Sequence, residues 1–183
     1  MKNFFTSLIL AASITNSALA YQEGEFPGVG SEENFQKALT IYKSSQKIYG
    51  DNAKAIEAIN KAISIYPYDA QFWFQLGMLV NGKVEKLQDF SKAASLNSDY
   101  VEPWYQMAQI YCDSEKYDDA IKAAKKACEI KPEDPTAWFI LSTIYKTSGN
   151  FKESKKASLK CKELQKSLET KPIIGPIPSK TTH

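Results

Sequence analysis

The sequence predicts an all-α protein, a solenoid of about four helical hairpins. Two observations carry this. First, columns of like residues recur at fixed steps: Trp73, Trp104 and Trp138 lie 31 and then 34 residues apart. The same steps link Ala62, Ala93 and Ala127, with Cys161 in the next place, and likewise Ile65, Leu96, Ile130 and Leu164, and the lysines Lys61, Lys92, Lys126 and Lys160. Second, apolar residues inside a unit keep helical spacing, as Trp104, Met107, Ala108 and Tyr111 do at i, i+3, i+4 and i+7. A chain of 183 residues, 43% hydrophobic and 24% charged, suits one folded domain with a substantial core.

The elements follow in order. Residues 1–20 carry Lys2, an apolar run from Phe4 to Ile14 and the small-x-small end Ala18-Leu19-Ala20, the form of a signal peptide cleaved after Ala20. That run is well short of the roughly 20 residues a spanning helix needs; retention as an uncleaved anchor is the alternative. Residues 21–30 read as a flexible start to the mature chain. Ser31 then caps a helix with Phe35, Ala38, Leu39, Tyr42 and Tyr49 on one face, and a second helix over 52–66 completes a degenerate first unit that has no tryptophan. The second unit is three residues short, a loss placed near Asn81-Gly82-Lys83.

In the third unit a polar turn from Asp113 to Lys116 leads into a helix whose inner face holds Ala120, Ile121, Ala124, Ala127 and Cys128. Asp134-Pro135 opens the fourth, an aspartate placed to cap and a proline at the first helical residue. The last helix has only a narrow stripe, Phe151, Ser154, Ala157, Cys161, Leu164 and Leu168, and Lys155 stands where earlier units have Ile56, Leu87 and Ile121. Such a helix closes a stack against water. The helical domain is thus placed at 31–168, and 169–183, with Pro172, Pro176 and Pro178, as a disordered tail.

Composition excludes much chemistry. All 23 basic residues are lysine, against 21 acids, so neither a nucleic-acid footprint nor a guanidinium clamp on phosphate is expected. The sole histidine is His183, and there is no G-x-S-x-G, P-loop or G-x-G-x-x-G. The chain reads as no enzyme, with no cofactor and no metal site. Cys112, Cys128 and Cys161 form no C-x-x-C pair, and an odd number leaves at least one thiol unpaired within a monomer.

At Trp104-x2-Met107-Ala108-x2-Tyr111, Ala120, Ala127 and Pro132 the residues resemble the tetratricopeptide repeat, as do Trp138-x2-Leu141-Ser142-x2-Tyr145 with Gly149, and Trp73-x2-Leu76-Gly77 with Val80 in the tyrosine place. The resemblance covers about residues 34–168. It implies a right-handed superhelix whose concave groove is lined by first-helix side chains. Transferred by register, these include Gln71, Phe74, Met78 and Asn81 in the second unit and Glu102, Tyr105, Gln109, Cys112 and Asp113 in the third. The fourth supplies Thr136, Phe139, Thr143, Lys146 and Thr147. The binding residues chosen from them are Phe74, Met78, Tyr105, Gln109, Asp113, Phe139, Thr143 and Lys146. Whether the aromatics at 74, 105 and 139 line the groove or pack in the core stays open, whereas all three tryptophans are assigned to the core.

Family members that clamp a C-terminal carboxylate do so with lysine and asparagine. Phe74, Met78, Tyr105 and Gln109 fill those places here, so an extended peptide with apolar side chains is the better fit. The expected function is an exported, periplasmic or secreted, non-enzymatic interaction protein, an assembly factor, adaptor or chaperone for other proteins, with the membrane met only through the leader or by weak surface contact. The short leader, the all-lysine composition and the absence of any N-x-[ST] sequon point to a bacterial envelope. The alternative is a small-ligand or lipid carrier using the aromatic groove. Residues 99–134 carry nine acids and five lysines, and 146–180 nine lysines and three acids. That asymmetry reads either as the solvated face of a capping helix or as a surface for a partner or a second copy.

Overall fold

A computed structural model describes residues 31–170 of the chain. The segments read as a signal peptide and a flexible start, and the proline-containing residues beyond Thr170 read as a tail, lie outside the described residues. Eight helices and no strand occur among the described residues: α1 (Glu32–Ser45), α2 (Asn52–Ile65), α3 (Ala70–Leu79), α4 (Lys83–Leu96), α5 (Val101–Cys112), α6 (Tyr117–Ile130), α7 (Pro135–Thr147) and α8 (Phe151–Thr170). The most extensive contacts join α1 to α2, α3 to α4, α5 to α6 and α7 to α8, giving four hairpins, each stacked on the next.

Local chemistry sets the helix ends. The Ser31 hydroxyl accepts from the Asn34 N–H at 3.2 Å, and the Asp51, Asp69 and Asp134 carboxylates accept from Lys54, Gln71 and Thr136 N–H groups at 3.0, 2.7 and 2.8 Å. Second helices stop at one place in the register: Tyr66, Asn97 and Lys131 donate their N–H to the carbonyls of Ala62, Ala93 and Ala127. Tyr66 and Lys131 precede prolines, which disfavour helical dihedrals in the residue before them. In α8 the corresponding residue after Gln165 is Lys166, and the helix runs on to Thr170, two residues past the expected boundary.

The shortening of the second unit falls partly on α3, which has 10 residues where α5 has 12 and α7 has 13. In the turns that follow α5 and α7, Glu115 and Gly149 hold the same register place with φ of 58° and 79°. Glycine suits that left-handed backbone better than glutamate.

The core is built on the small column: Ala62, Ala93 and Ala127 are fully buried, and Cys161 nearly so. Across it the units trade volume. Gly77 lies so close to Phe90 that a Cβ there would stand 2.7 Å from the ring, whereas in the third unit the equivalent positions are Ala108 and Ala124. The outermost residues of the expected apolar faces are not inside. Tyr49 lies beyond α1 and is 89% exposed, and Phe151 and Leu168 are largely exposed, with no further helix over them among the described residues. The face of α8 that points away from the stack is polar at three columns: Lys155, Ser158 and Lys162 replace apolar Ile121, Ala124 and Cys128 of the preceding helix.

The tryptophans are half-buried, each packed on the core by one side. Trp73 Nε1 donates to the Pro67 carbonyl at 2.8 Å and Trp138 Nε1 to that of Pro132 at 2.9 Å. Trp104, whose loop carries Ser98 in place of proline, has its Nε1 buried with no acceptor. Asp89 is a second irregularity. It occupies the column of Ala58, Ala123 and Ala157, and burial, with Glu85 nearby, pushes its pKa up to about 6.

Two outcomes follow from these differences between units. Replacing Trp73 by Phe removes a satisfied hydrogen bond, whereas Trp104→Phe removes an unsatisfied donor, so urea unfolding should find the first costlier by about 1 kcal/mol. Equal losses would show that the two indoles are bonded alike. The folded chain holds the Asp89 proton up to about pH 6, while an ordinary aspartate releases it near 3.8. Stability from this group is therefore full below about pH 4 and lost as pH rises through 6. Asp89→Ala should raise the melting temperature at pH 7 relative to the parent more than it does at pH 4; the same difference at both values would remove Asp89 as the cause.

Candidate functional site

Curvature identifies the inner face. In the last two hairpins α5 touches α7, but no comparable contact joins α6 to α8, so there the first helices lie on the inside of the bend and the second helices splay apart outside. Helices α3, α5 and α7 therefore present the sequence-predicted groove residues, and these fall into two groups.

Phe74 and Tyr105 serve the scaffold. The Phe74 ring centroid lies 5.6 Å from that of Phe90 and 5.2 Å from that of Tyr100, a packed aromatic cluster reaching from α3 to the start of α5. Tyr105 donates its hydroxyl to Asp134 Oδ2 at 2.7 Å, tying α5 to the cap of α7. Burial first, and then the hydrogen bond to Asp134, push the tyrosine pKa up. Burial alone would raise the pKa of Asp134, but hydrogen bonds from Tyr105 and Thr136, with Lys131 nearby, outweigh it and hold the carboxyl below its ordinary value. It is a fixed acceptor at neutral pH.

The others are exposed. Phe139 is 60% and Met78 43% accessible, both large for apolar side chains in a folded chain. Gln109 donates to Asp113 Oδ1 at 2.7 Å, and the Thr143 hydroxyl donates to the Phe139 carbonyl at 3.0 Å. Lys146 is exposed in the last turn of α7. Polar ties between neighbouring units border this face: Lys131 with Glu102 at 3.4 Å, and Lys83 Nζ donating to Ser114 Oγ at 3.3 Å. Cys112 is a half-buried free thiol bonded to the Thr147 side chain, and burial, with Asp113 beside it, pushes its pKa up, away from a reactive thiolate. Cys128 and Cys161 are buried and free. The place of the aromatics at 74, 105 and 139, open from the sequence, thus differs from unit to unit. The first two rings are held by neighbours, and only the third faces outward.

Sequence reasoning missed the clefts on the opposite side. A cavity of about 570 Å³ opens between α6 and α8, floored by Trp138, Leu141 and Tyr145 and bordered by Lys125, Lys156 and Lys160. A second, of about 410 Å³, lies between α4 and α6 over Trp104, Met107 and Tyr111, with Lys122 and Lys126 at its edge. The two are copies in the repeat register: each residue just named over Trp104 is 34 before its counterpart over Trp138. The signal was present in the lysines paired four apart in the last two second helices, but assigning every tryptophan to the core hid the floor beneath them. Among the described residues no cluster of three or more histidine, cysteine, aspartate or glutamate side chains is placed to hold a metal ion.

Comparison with known proteins agrees with this geometry. Two family profiles described as tetratricopeptide repeat match residues 101–144 and 135–168. No curated protein matches the chain. Among solved structures, a crystal structure of MamA is similar at 24% identity, over 75% of this chain and 82% of that one, with a TM-score of 0.67. YrrB, described as a tetratricopeptide-repeat protein with an unusual peptide-binding site, is similar at 16% identity over 74% of this chain and 71% of its own, with a TM-score of 0.61. The first tetratricopeptide repeat of Spaghetti (RPAP3), solved with a peptide of HSP90, reaches 21% identity, 61% and 92% coverage and a TM-score of 0.56. Residues 101–168 thus match the tetratricopeptide repeat, and the chain shares the helical solenoid fold of these structures.

Proposed function

We propose that this protein is a non-catalytic scaffold that holds an extended segment of another protein along its inner face. The observation that carries the reading is the exposure of Phe139 and Met78 on first helices, among side chains able to hydrogen-bond a peptide backbone: Gln109, Asp113, Thr143 and Lys146. Exposed aromatic and methionine side chains amid polar neighbours are the composition of a recognition surface. Peptide complexes in this fold, of which the Spaghetti repeat with its HSP90 peptide is one, support the mode of action. The neutral and apolar character of positions 74, 78, 105 and 109 favours a segment with apolar side chains over an acidic C-terminal tail. A place outside the cytoplasm, in the envelope or beyond it, is proposed from the leader-like residues 1–20, and with it a role in assembling or escorting exported proteins.

Only the exposed anchors are suitable for the test, because Phe74 and Tyr105 also support the fold. In a pull-down from envelope extract, a Phe139→Ser, Met78→Ser variant with an unchanged melting temperature should lose its specific partners. A purified partner should bind it at least tenfold more weakly, as expected when central apolar anchors are removed. Retention of every partner at parental affinity would place the binding surface elsewhere.

A further inference from the structure

The outer clefts over Trp104 and Trp138 are not part of the inner groove, and their chemistry differs from it. Each has an aromatic and aliphatic floor under a lysine edge. Over Trp138, Lys156 pairs with Glu153 at 2.7 Å and Lys160 with Glu163 at 3.1 Å, while Lys125 has no ion-pair partner among the described residues. The Glu153 carboxyl is held below its usual value by the hydrogen bond from Lys156 and by the fields of Lys152 and Lys125, a sign of local positive potential. Over Trp104, Lys122 pairs with Asp119 at 3.4 Å and Lys126 with Glu129 at 3.2 Å, and Glu129 also lines the cleft over Trp138, so lysines exceed acids by one in the lining of each cleft. Helix α8 as a whole carries six lysines and three glutamates.

The equivalent surface over Trp73 is different. There the places of Lys122 and Lys156 are taken by Gln88, and those of Ala123 and Ala157 by Asp89, with Glu85 beside it. Lys92 keeps the place of Lys126 and Lys160 there, but Gln88 removes the second lysine and Asp89 and Glu85 bring acid in, so the repeat alone does not account for the pairing of an indole floor with a two-lysine edge.

We propose that the outer face of α4, α6 and α8 is a second docking surface, which takes an acidic extended peptide with apolar anchors three or four residues apart, one seated over Trp104 and the other over Trp138. The spacing follows from the splay of the second helices. Neighbouring second helices share few or no close backbone contacts, so one step from cleft to cleft across α6 is taken as somewhat more than the roughly 8–10 Å of packed helices, which three or four extended residues cross at roughly 3.3–3.6 Å each. Cavities of this size accept one large side chain or a small cluster, and the carboxylates between the anchors meet Lys122, Lys125, Lys126, Lys156 and Lys160. Those contacts are solvent-exposed, so salt weakens the complex.

The probe is the peptide Glu-Asp-Phe-Glu-Asp-Leu-Glu-Asp, titrated into the full chain labelled with 5-fluorotryptophan, whose three fluorine resonances are assigned by single Trp→Phe variants. The signals of Trp104 and Trp138 should shift saturably while that of Trp73 stays in place. A Lys125→Glu, Lys156→Glu variant should bind at least tenfold more weakly, a Phe139→Ser variant should bind as the parent does, and a peptide with Phe and Leu adjacent should bind more weakly. No saturable shift, an equal shift of Trp73, unchanged affinity after lysine reversal, or loss on Phe139→Ser would each overturn the proposal. The fluorine spectra of the parent chain decide it even if the lysine variant does not fold. The inner-groove reading is untouched by failure here, because its test uses residues on the other face.

Discussion

Close approach at the small column is the constraint on which this architecture depends. Ala62, Ala93, Ala127 and Cys161 have almost no accessible surface, and the three alanines sit one turn before the carbonyl-bonded stop of α2, α4 and α6. A methyl or thiol at this point lets helices meet, and the larger groups are then accommodated around it: Phe72 and Ile59 in the first two units, Met107 and Leu141 in the last two. Because each hairpin buries one side against its neighbour, order in one unit depends on the next. A larger residue in the small column would act at two interfaces at once.

Within that shared frame the units are adjusted individually. Phe90 is admitted because Gly77 has no side chain, and the third unit restores balance with two alanines. Trp73 and Trp138 are anchored by the carbonyls of Pro67 and Pro132, whereas Trp104 lies beside a loop with Ser98 in the proline place, and its Nε1 has no acceptor. Tyr100 stands where Asp69 and Asp134 cap their helices, and in exchange offers its ring to Phe74. The second and third hairpins are thereby joined by aromatic packing, and the third and fourth by the bond between Tyr105 and Asp134.

The repeat frame was legible in the sequence because it depends on residue size at fixed separation. Steps of 31 and 34 define it without any knowledge of curvature, and the caps at Ser31 and Asp134 are local chemistry. The surface was less legible. Phe74, Tyr105 and Phe139 share a register position, yet their surroundings differ: Phe90 and Tyr100 cover the first, Asp134 holds the second, and nothing comparable covers the third. Those neighbours come from other helices, so no one-helix pattern reveals them. The tryptophan floors were hidden for a related reason. Whether an indole packed on the core is also covered from outside depends on the splay of α4, α6 and α8, a property of the stack.

The polar end of the stack bears on where recognition can occur. If α8 repeated the apolar columns of α6, its outer side would be an adhesive surface for another hairpin, and end-to-end association would compete with any partner. Lys155, Ser158 and Lys162 remove that surface: three positions that bury apolar side chains in earlier units are made favourable to water. Apart from single exposed side chains such as Phe151 and Leu168, apolar surface is accessible along the sides, at Phe139 and Met78 within the bend and at the floors over Trp104 and Trp138 outside it. Lys156 and Lys160 on the same helix border the outer cleft over Trp138, so α8 both closes the stack, through Lys155 and Lys162, and contributes to the sign of what the outer face attracts.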